Sequence, residues 1–481
     1  MNAINLVVLL ATAFFGLAAS AADGTDAMHV RDDSGQGYVA CPLQGSGHQS
    51  KMNKSEENGG YGYPTYTMNL AIGSDHQNIS MALFFQWNET ILVPPCVYDP
   101  EGFNFDSCNG TDRYRTSSST TFKNLSHIRD PMFGDASSFT DDIQFGSRQL
   151  RAQAMKILPD GNFPFAGFLG LANTVSPSNM SFRESLLAQG LVHNTAFSID
   201  MRHQADNKFT EPGSVVFGGI DQNKYACGNW KQLQIAQGRS LDLRLQKVSA
   251  ALRPNATKEW DLSILTQEES ENGIYAQLVP GTMWYGGLAV PLSLYHAIFG
   301  EWPNATAAKP FEFASESLYT VPCNAPAGSL NFTFEGHSDT IQIPLQDLVG
   351  DEVSGLGVEF GRQCVSKIVP SAATWFAGTL IGDPFFLSSY VVYDLQPGSI
   401  LFASKADCGS NITAFGKADD HTSNNASLNG GCGCSGNTTS PANPTSTTAL
   451  PKNGAGMTIS APWMATVLFV SMLSIAAAMA L

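Results

Sequence analysis

An all-β chain of two pseudo-symmetric lobes, with a few short helices, is what this sequence predicts, on three observations. At 481 residues it is long for one compact core, so two units are expected. Runs alternating apolar and polar residues recur between Gly, Pro and Asn turns, the period of strands lying on a core. Two blocks roughly two hundred residues apart also read alike. Phe165-Ala166-Gly167-Phe168-Leu169-Gly170 and Phe376-Ala377-Gly378-Thr379-Leu380-Ile381-Gly382 share Phe-Ala-Gly and an apolar pair before glycine, as a duplicated lobe would place them.

Composition narrows the classes. Hydrophobic residues make up 43% of the chain and charged residues only 14%, enough for a large core. The formal net charge is -16 and no Lys/Arg cluster relieves it, which excludes a nucleic-acid partner. Residues 1–21 read as a secretory signal: an apolar run from Leu6 to Ala19, then Ala19-Ser20-Ala21 at the cleavage site. Residues 456–481 form an apolar tail with no basic residue after it, where a retained span would keep a basic flank. With the small residues Asn453, Gly454 and Ala455 ahead of it, this reads as a glycosylphosphatidylinositol (GPI) attachment signal, with attachment at Asn453. The expectation is a cell-surface protein attached to the membrane through a lipid anchor.

About a dozen N-x-S/T sequons agree with that route, among them Asn78, Asn109, Asn124, Asn179, Asn255, Asn304, Asn331 and Asn411. Nine cysteines suit the same oxidising compartment, and their odd number leaves one over. Spacing suggests Cys96 with Cys108 and Cys323 with Cys364; the pairing of Cys41, Cys227, Cys408, Cys432 and Cys434 stays open.

Taken in order, residues 22–60 are a polar, Gly-rich segment in which Tyr38-Val39-Ala40 can start a strand. The first lobe is expected over 61–225. Tyr66, Met68, Leu70 and Ile72 point one way, Gly73-Ser74-Asp75 turns the chain, and Met81 to Phe85 pairs back. Phe133 to Gly146 reads as a β-hairpin, two strand-like runs around a small polar tip. Ser181 to Val192 is an amphipathic helix ending near Gly190; Phe197-Ser198-Ile199 and Gly213 to Asp221 are strands. The second lobe is expected over 226–408. It closes with Leu380-Ile381, a helical turn carrying Phe385 to Leu387, a strand Tyr390 to Asp394, a Pro397-Gly398 turn and a strand Ile400 to Ala403. Residues 409–455, rich in Asn, Ser, Thr, Gly and Pro, read as a glycosylated stalk without a packed core.

The closing block, the Ile-Gly turn of the first hairpin, and Gly218-Gly219-Ile220-Asp221 together resemble the pepsin-like aspartic proteases, over about Tyr63 to Cys408. That resemblance implies the bilobal acid-protease fold, a cleft between the lobes, and a flap whose tyrosine is replaced here by Phe133, followed by Gly134 and Asp135. It also places a second-lobe disulfide at Cys323 and Cys364. Such enzymes hydrolyse peptides with two aspartates, one per lobe, each in an Asp-Thr/Ser-Gly loop and together sharing one proton and a water.

Both loops lack that aspartate. In Leu83 to Cys96, counting forward puts Gln86 at the first position and counting back puts Phe84 there; no aspartate lies between Asp75 and Asp99. In Tyr275 to Pro291 the second position falls on Val279 or Thr282, and Leu262 to Ser338 holds no aspartate. Glu89 is the one carboxylate near the first loop, inside the sequon Asn88-Glu89-Thr90. Positioned acid–base groups are each worth about a hundred- to ten-thousand-fold, and this mechanism has no covalent nucleophile behind them. Trp284, Tyr285, Phe84 and Trp87 make the region aromatic, as core filler or as a binding pocket.

No other chemistry offers itself. His-Glu-x-x-His and Gly-x-Ser-x-Gly are absent, nine histidines are scattered, and Asp141-Asp142 on one strand would face opposite ways. Cys432-Gly433-Cys434 lacks the second pair a zinc ribbon needs. Neither metal nor cofactor is expected. The reading is a non-catalytic monomer that binds polypeptide or glycan in the cleft; the alternatives are an active aspartic endopeptidase with a different loop register, and a purely structural surface glycoprotein.

Overall fold

A computed structural model describes residues 37–46, 65–95, 113–130, 134–159, 166–172, 181–202, 213–228, 230–237, 239–253, 256–270, 273–280, 287–313, 316–325, 327–337, 339–352, 362–371, 378–416, 428 and 430–433. The signal segment, the apolar tail with Asn453, Phe133, Thr282, Trp284, Tyr285, Cys96, Cys108, Asn109, Asn179 and Asn255 lie outside them. No helix among the described residues is long and apolar enough to cross a membrane.

Strands dominate, and their alternation explains where they lie. Tyr66, Met68, Leu70 and Ile72 of strand Thr65–Ile72 are all buried, and Gly73, at φ 86°, makes the turn into strand Gln77–Phe84. These belong to a thirteen-stranded sheet. One end takes strands from both halves of the chain: Lys231–Gln234, Ser399–Ser404, Ser389–Asp394, Phe197–Asp200, Gly213–Phe217 and Val39–Ser46, in that spatial order. It then runs through Thr65–Ile72, Gln77–Phe84, Gly167–Gly170, Ile91–Leu92, Arg148–Ile157 and Gly134–Phe145 to end at Lys123–Asp130.

The second lobe has its own eight-stranded sheet, containing Leu243–Arg253, Tyr275–Leu278, Thr379–Ile381, Leu288–Val290 and Ile368–Pro370, and a four-stranded one around Glu316–Pro322. Helix Phe182–Ala188 begins with a capping box: the Glu184 amide donates to Ser181 Oγ at 3.3 Å and the Ser181 amide to Glu184 Oε2 at 2.8 Å. The closing block forms as read, with strand Thr379–Ile381, helix Asp383–Ser388, and strands Ser389–Asp394 and Ser399–Ser404.

Three expectations are corrected. Residues 134–145 are one continuous strand, not a hairpin. The hairpin pairs this strand with Lys123–Asp130, from Asp130 opposite Gly134, so its tip comes before Gly134. Ser137 and Ser138, polar residues in the middle of the run read as a hairpin, are held inside the sheet by ladders on both sides, to His127 and Ser126 and to Ile157 and Lys156.

Secondly, the first lobe's sheet begins before residue 61: the strand read at Tyr38-Val39-Ala40 is present as Val39–Ser46, paired with Gly213–Phe217 and Thr65–Ile72. Thirdly, residues 412–416, read as the start of a stalk, are part of the packed fold. Ile412–Ala414 pairs with Gly219–Asp221, Phe415 is buried, and the Cys408–Cys432 disulfide ties the segment down. Trp230 Nε1 donates to the Leu428 carbonyl at 3.1 Å, and Leu428 packs on the cluster of Ile220, Tyr225, Tyr390 and Val392. Two large apolar side chains and one crosslink suffice to dock a segment whose average composition is polar.

The disulfide Cys323–Cys364 is present as expected. Cys227 is also disulfide-bonded, and Cys41 is the free cysteine among the described residues, buried in the central sheet.

Candidate functional site

Each lobe builds the same four-strand motif. In the first, Gln77–Phe84 runs parallel to Gly167–Gly170, pairing Phe84 with Gly170. Ile91–Leu92 returns antiparallel to Gly167–Gly170 and parallel to Arg148–Ile157. In the second, Tyr275–Leu278 runs parallel to Thr379–Ile381, pairing Leu278 with Ile381. Leu288–Val290 returns antiparallel to that strand and parallel to Ile368–Pro370.

Glycine is required where each loop passes over its neighbour. A Cβ on Gly170 would lie 2.3 Å from the Glu89 carbonyl oxygen, and one on Gly382 would lie 2.2 Å from that of Gly287. These are the two glycines that the duplicated sequence blocks share.

The matched ladders give the two loops a common register. The Leu171 amide donates to the Phe84 carbonyl at 2.7 Å, closing the ladder at Phe84 opposite Gly170. The Val279 amide donates to the Ile381 carbonyl at 3.0 Å, which sets Val279 opposite Gly382. Phe84 and Val279 are therefore equivalent, and the first residues beyond the ladders are Phe85 and Pro280. Both are buried. Gln86 follows Phe85 and is half-buried.

Phe85 is closed off from solvent and lies against two aromatic rings of the central sheet. Its ring centroid is 5.3 Å from Tyr393 and 6.0 Å from Phe197, and those two stack at 4.7 Å. Burial pushes the Tyr393 phenol well up, so it stays a neutral donor; its hydroxyl reaches the Leu278 carbonyl at 2.6 Å. One tyrosine thus touches the end of both loop-bearing strands. Phe84 faces the other way, with Trp87 at 4.2 Å and Phe168 at 5.8 Å, in a small cluster with Ile91, Val93 and Leu158.

Several carboxylates stand on or beside these elements, among them Asp383, buried directly after Gly382. Glu89 pairs with Lys156. Asp141 is buried and accepts from Tyr114, from Thr121 and, at 3.1 Å, from Ser119. Asp142 instead accepts the Ala152 amide at 2.8 Å and Gln149 at 3.2 Å, so the neighbours do serve opposite faces. Asp200 is held by Arg202 at 2.7 Å and Lys405 at 3.3 Å. Asp242 accepts Gln277 at 2.5 Å, and Asp221 accepts Ser410 at 2.7 Å. Among the described residues no group of three His, Cys, Asp or Glu side chains could hold a metal ion.

The hairpin of Lys123–Asp130 and Gly134–Phe145 carries Asp135 exposed near its end, with His127 at 3.7 Å. Of the sequons read earlier, Asn78, Asn124, Asn304 and Asn411 are exposed and Asn331 is half-buried in a strand. What sequence reading missed is Tyr393. Two tyrosines, Tyr390 and Tyr393, in a strand next to a duplicated block were the available signal, but only the sheet order brings the Tyr393 ring to both loops.

A duplicated all-β fold, with a loop from each lobe backed by a glycine-ended strand and joined by a shared sheet, defines the pepsin-like class. The chain belongs to the family described as eukaryotic aspartyl protease, which matches residues 65–405. It is similar to secreted aspartic protease 8 of Candida albicans, 24% identical over 351 residues covering 71% of this chain and 76% of the relative. Secreted aspartic protease 5 of the same organism is 24% identical over 354 residues, 70% and 76% of the two chains. Secreted aspartic protease 1 is 24% identical over 364 residues, 73% and 84%.

Proposed function

We infer that this chain is a catalytically silent member of its family, an N-glycosylated surface protein held by a GPI anchor that takes polypeptide between its lobes without cutting it. The observation that carries this reading is the pair of equivalent positions Phe85 and Pro280, the first residues past the two matched ladders. In this register the family's aspartates would have been replaced by a phenylalanine and a proline. Neither can take a proton from water or give one to a carbonyl. Glu89, ion-paired with Lys156, is no substitute.

Extracellular residence is supported by the relatives' names as secreted proteins and by the disulfides Cys323–Cys364 and Cys408–Cys432. The anchor rests on the apolar tail after Asn453. Phosphatidylinositol-specific phospholipase C should release the protein from cells; retention after treatment would remove the anchor from the account.

The relatives' names favour a second reading, an active endopeptidase. Incubating the purified chain with an unfolded protein from acid to neutral pH separates the two. The silent reading expects complex formation with intact polypeptide, whereas pepstatin-sensitive fragments would establish the second.

A further inference from the structure

The thirteen-stranded sheet ends at Lys123–Asp130, and among the described residues this strand has one neighbour, Gly134–Phe145. An outermost strand offers a row of outward N–H and C=O groups to which another chain can pair. Lys123 to His127 are all exposed along this edge. Leu125, 58% exposed, is the one exposed large apolar side chain among the described residues. An apolar residue on an open edge is the combination that invites edge-to-edge association.

The same three residues read Asn124-Leu125-Ser126, an N-glycosylation sequon. Asn124 is exposed, and the ladder shifts register between Asn124 and Ser126, so the backbone bulges at the acceptor. Other sequons are placed differently. Asn331 is half-buried in a strand paired on both sides, with Ser329 Oγ at 2.8 Å from its Oδ1. Asn304 is exposed in the turn between helix Leu292–Glu301 and strand Thr306–Phe313, at φ 57°, outside any strand ladder.

We propose that an oligosaccharide on Asn124 guards this sheet edge, keeping the protein monomeric by denying the Lys123–Asp130 strand to a second chain. It rests on the secretory reading given above. The glycan comes from a lipid-pyrophosphate-linked oligosaccharide: the bond from Asn124 Nδ2 to the sugar C1 forms as the bond from C1 to the pyrophosphate oxygen breaks. The amide loses one proton, and lipid pyrophosphate leaves. Asn124 lies six positions before Asp130 at the hairpin end, about 20 Å along the strand. A hydrated oligosaccharide there covers Leu125 and blocks approach in the plane of the sheet, where the bulge alone only weakens pairing.

The test uses the full chain secreted from a glycosylating host. Glycopeptide mass analysis should find Asn124 occupied. Asn124→Gln and Ser126→Ala, which destroy the sequon through different atoms, should each lose one glycan and raise the dimer and aggregate fraction in size-exclusion chromatography several-fold. Ser126→Thr, which keeps the sequon, should not. Leu125→Lys added to Asn124→Gln should restore the monomer, and Asn304→Gln should leave it unchanged. An unmodified Asn124 beside occupied sequons elsewhere would overturn the proposal, as would an Asn124→Gln protein as monomeric as the parent. A protein bearing no glycan at any sequon would overturn the secretory reading itself.

Discussion

Replacing Phe85 with alanine separates a plugged interlobe floor from an open one. The ring is inaccessible to solvent and packs on Tyr393 and Phe197, themselves stacked face to face. Truncating a buried phenylalanine costs about 3–5 kcal/mol, from lost transfer energy and the cavity left behind. If Tyr393 then tilts into the void, its bond to the Leu278 carbonyl is lost as well, a further ~1 kcal/mol. A side chain standing in an open, wet cleft would instead change stability by within about 0.5 kcal/mol. Urea unfolding followed by tryptophan fluorescence reads the difference. For a chain of this size each kcal/mol shifts the melting temperature by about 1–2 °C, so calorimetry should show a fall of about 3–10 °C. A loss under about 1 kcal/mol would refute the packed floor and, with it, the reason given for the silent site.

Other expectations follow from the same contacts. Gly170→Ala drives a Cβ to 2.3 Å from the Glu89 carbonyl and should destabilise the chain by about 2 kcal/mol or more, whereas Gly300→Ala, with nothing within 4 Å on a helix surface, should be neutral or mildly stabilising in the same melt. Burial pushes the Cys41 thiol from 9.0 up to about 12, leaving roughly a thousandfold less thiolate than an ordinary cysteine; peptide mapping should find it alkylated only after unfolding.

Burial also lowers the Lys405 ammonium from 10.5 to about 8, against the opposing pull of Asp200 and with Arg202 and Lys224 nearby. Below pH 8 both states hold the proton and the burial penalty stands in full. Between about 8 and 10.5 the unfolded chain holds more protons, so stability should rise with pH, by up to about 3 kcal/mol from this group. Lys405→Met should flatten that slope, and an unchanged slope would contradict the assignment.

Much of the fold was legible because its signals are local. Period-two burial along Tyr66, Met68, Leu70 and Ile72, the glycine turn after it, and the repeated Phe-Ala-Gly block each depend on neighbours in sequence. The errors share one cause, which is that pairing partners lie far away. Ser137 and Ser138 look like the middle of a hairpin until ladders on both sides are seen. Residues 409–416 look like stalk until Phe415 and the Cys408–Cys432 bond dock them. The candidate site was legible in outline only. Counting along the chain offered Gln86 or Phe84, and Val279 or Thr282, because a strand's end is set by the residue across from it. Here that residue is Gly170 or Gly382.

The central claim is that the machinery for splitting a peptide bond is missing between these lobes. The most direct measurement is fragment detection by mass spectrometry, with the glycosylated, tail-less chain incubated with a denatured protein at pH 3 to 7. The account expects no new termini above those in a protein-free control, at any pH and with or without pepstatin. New termini that vanish on adding pepstatin would contradict it.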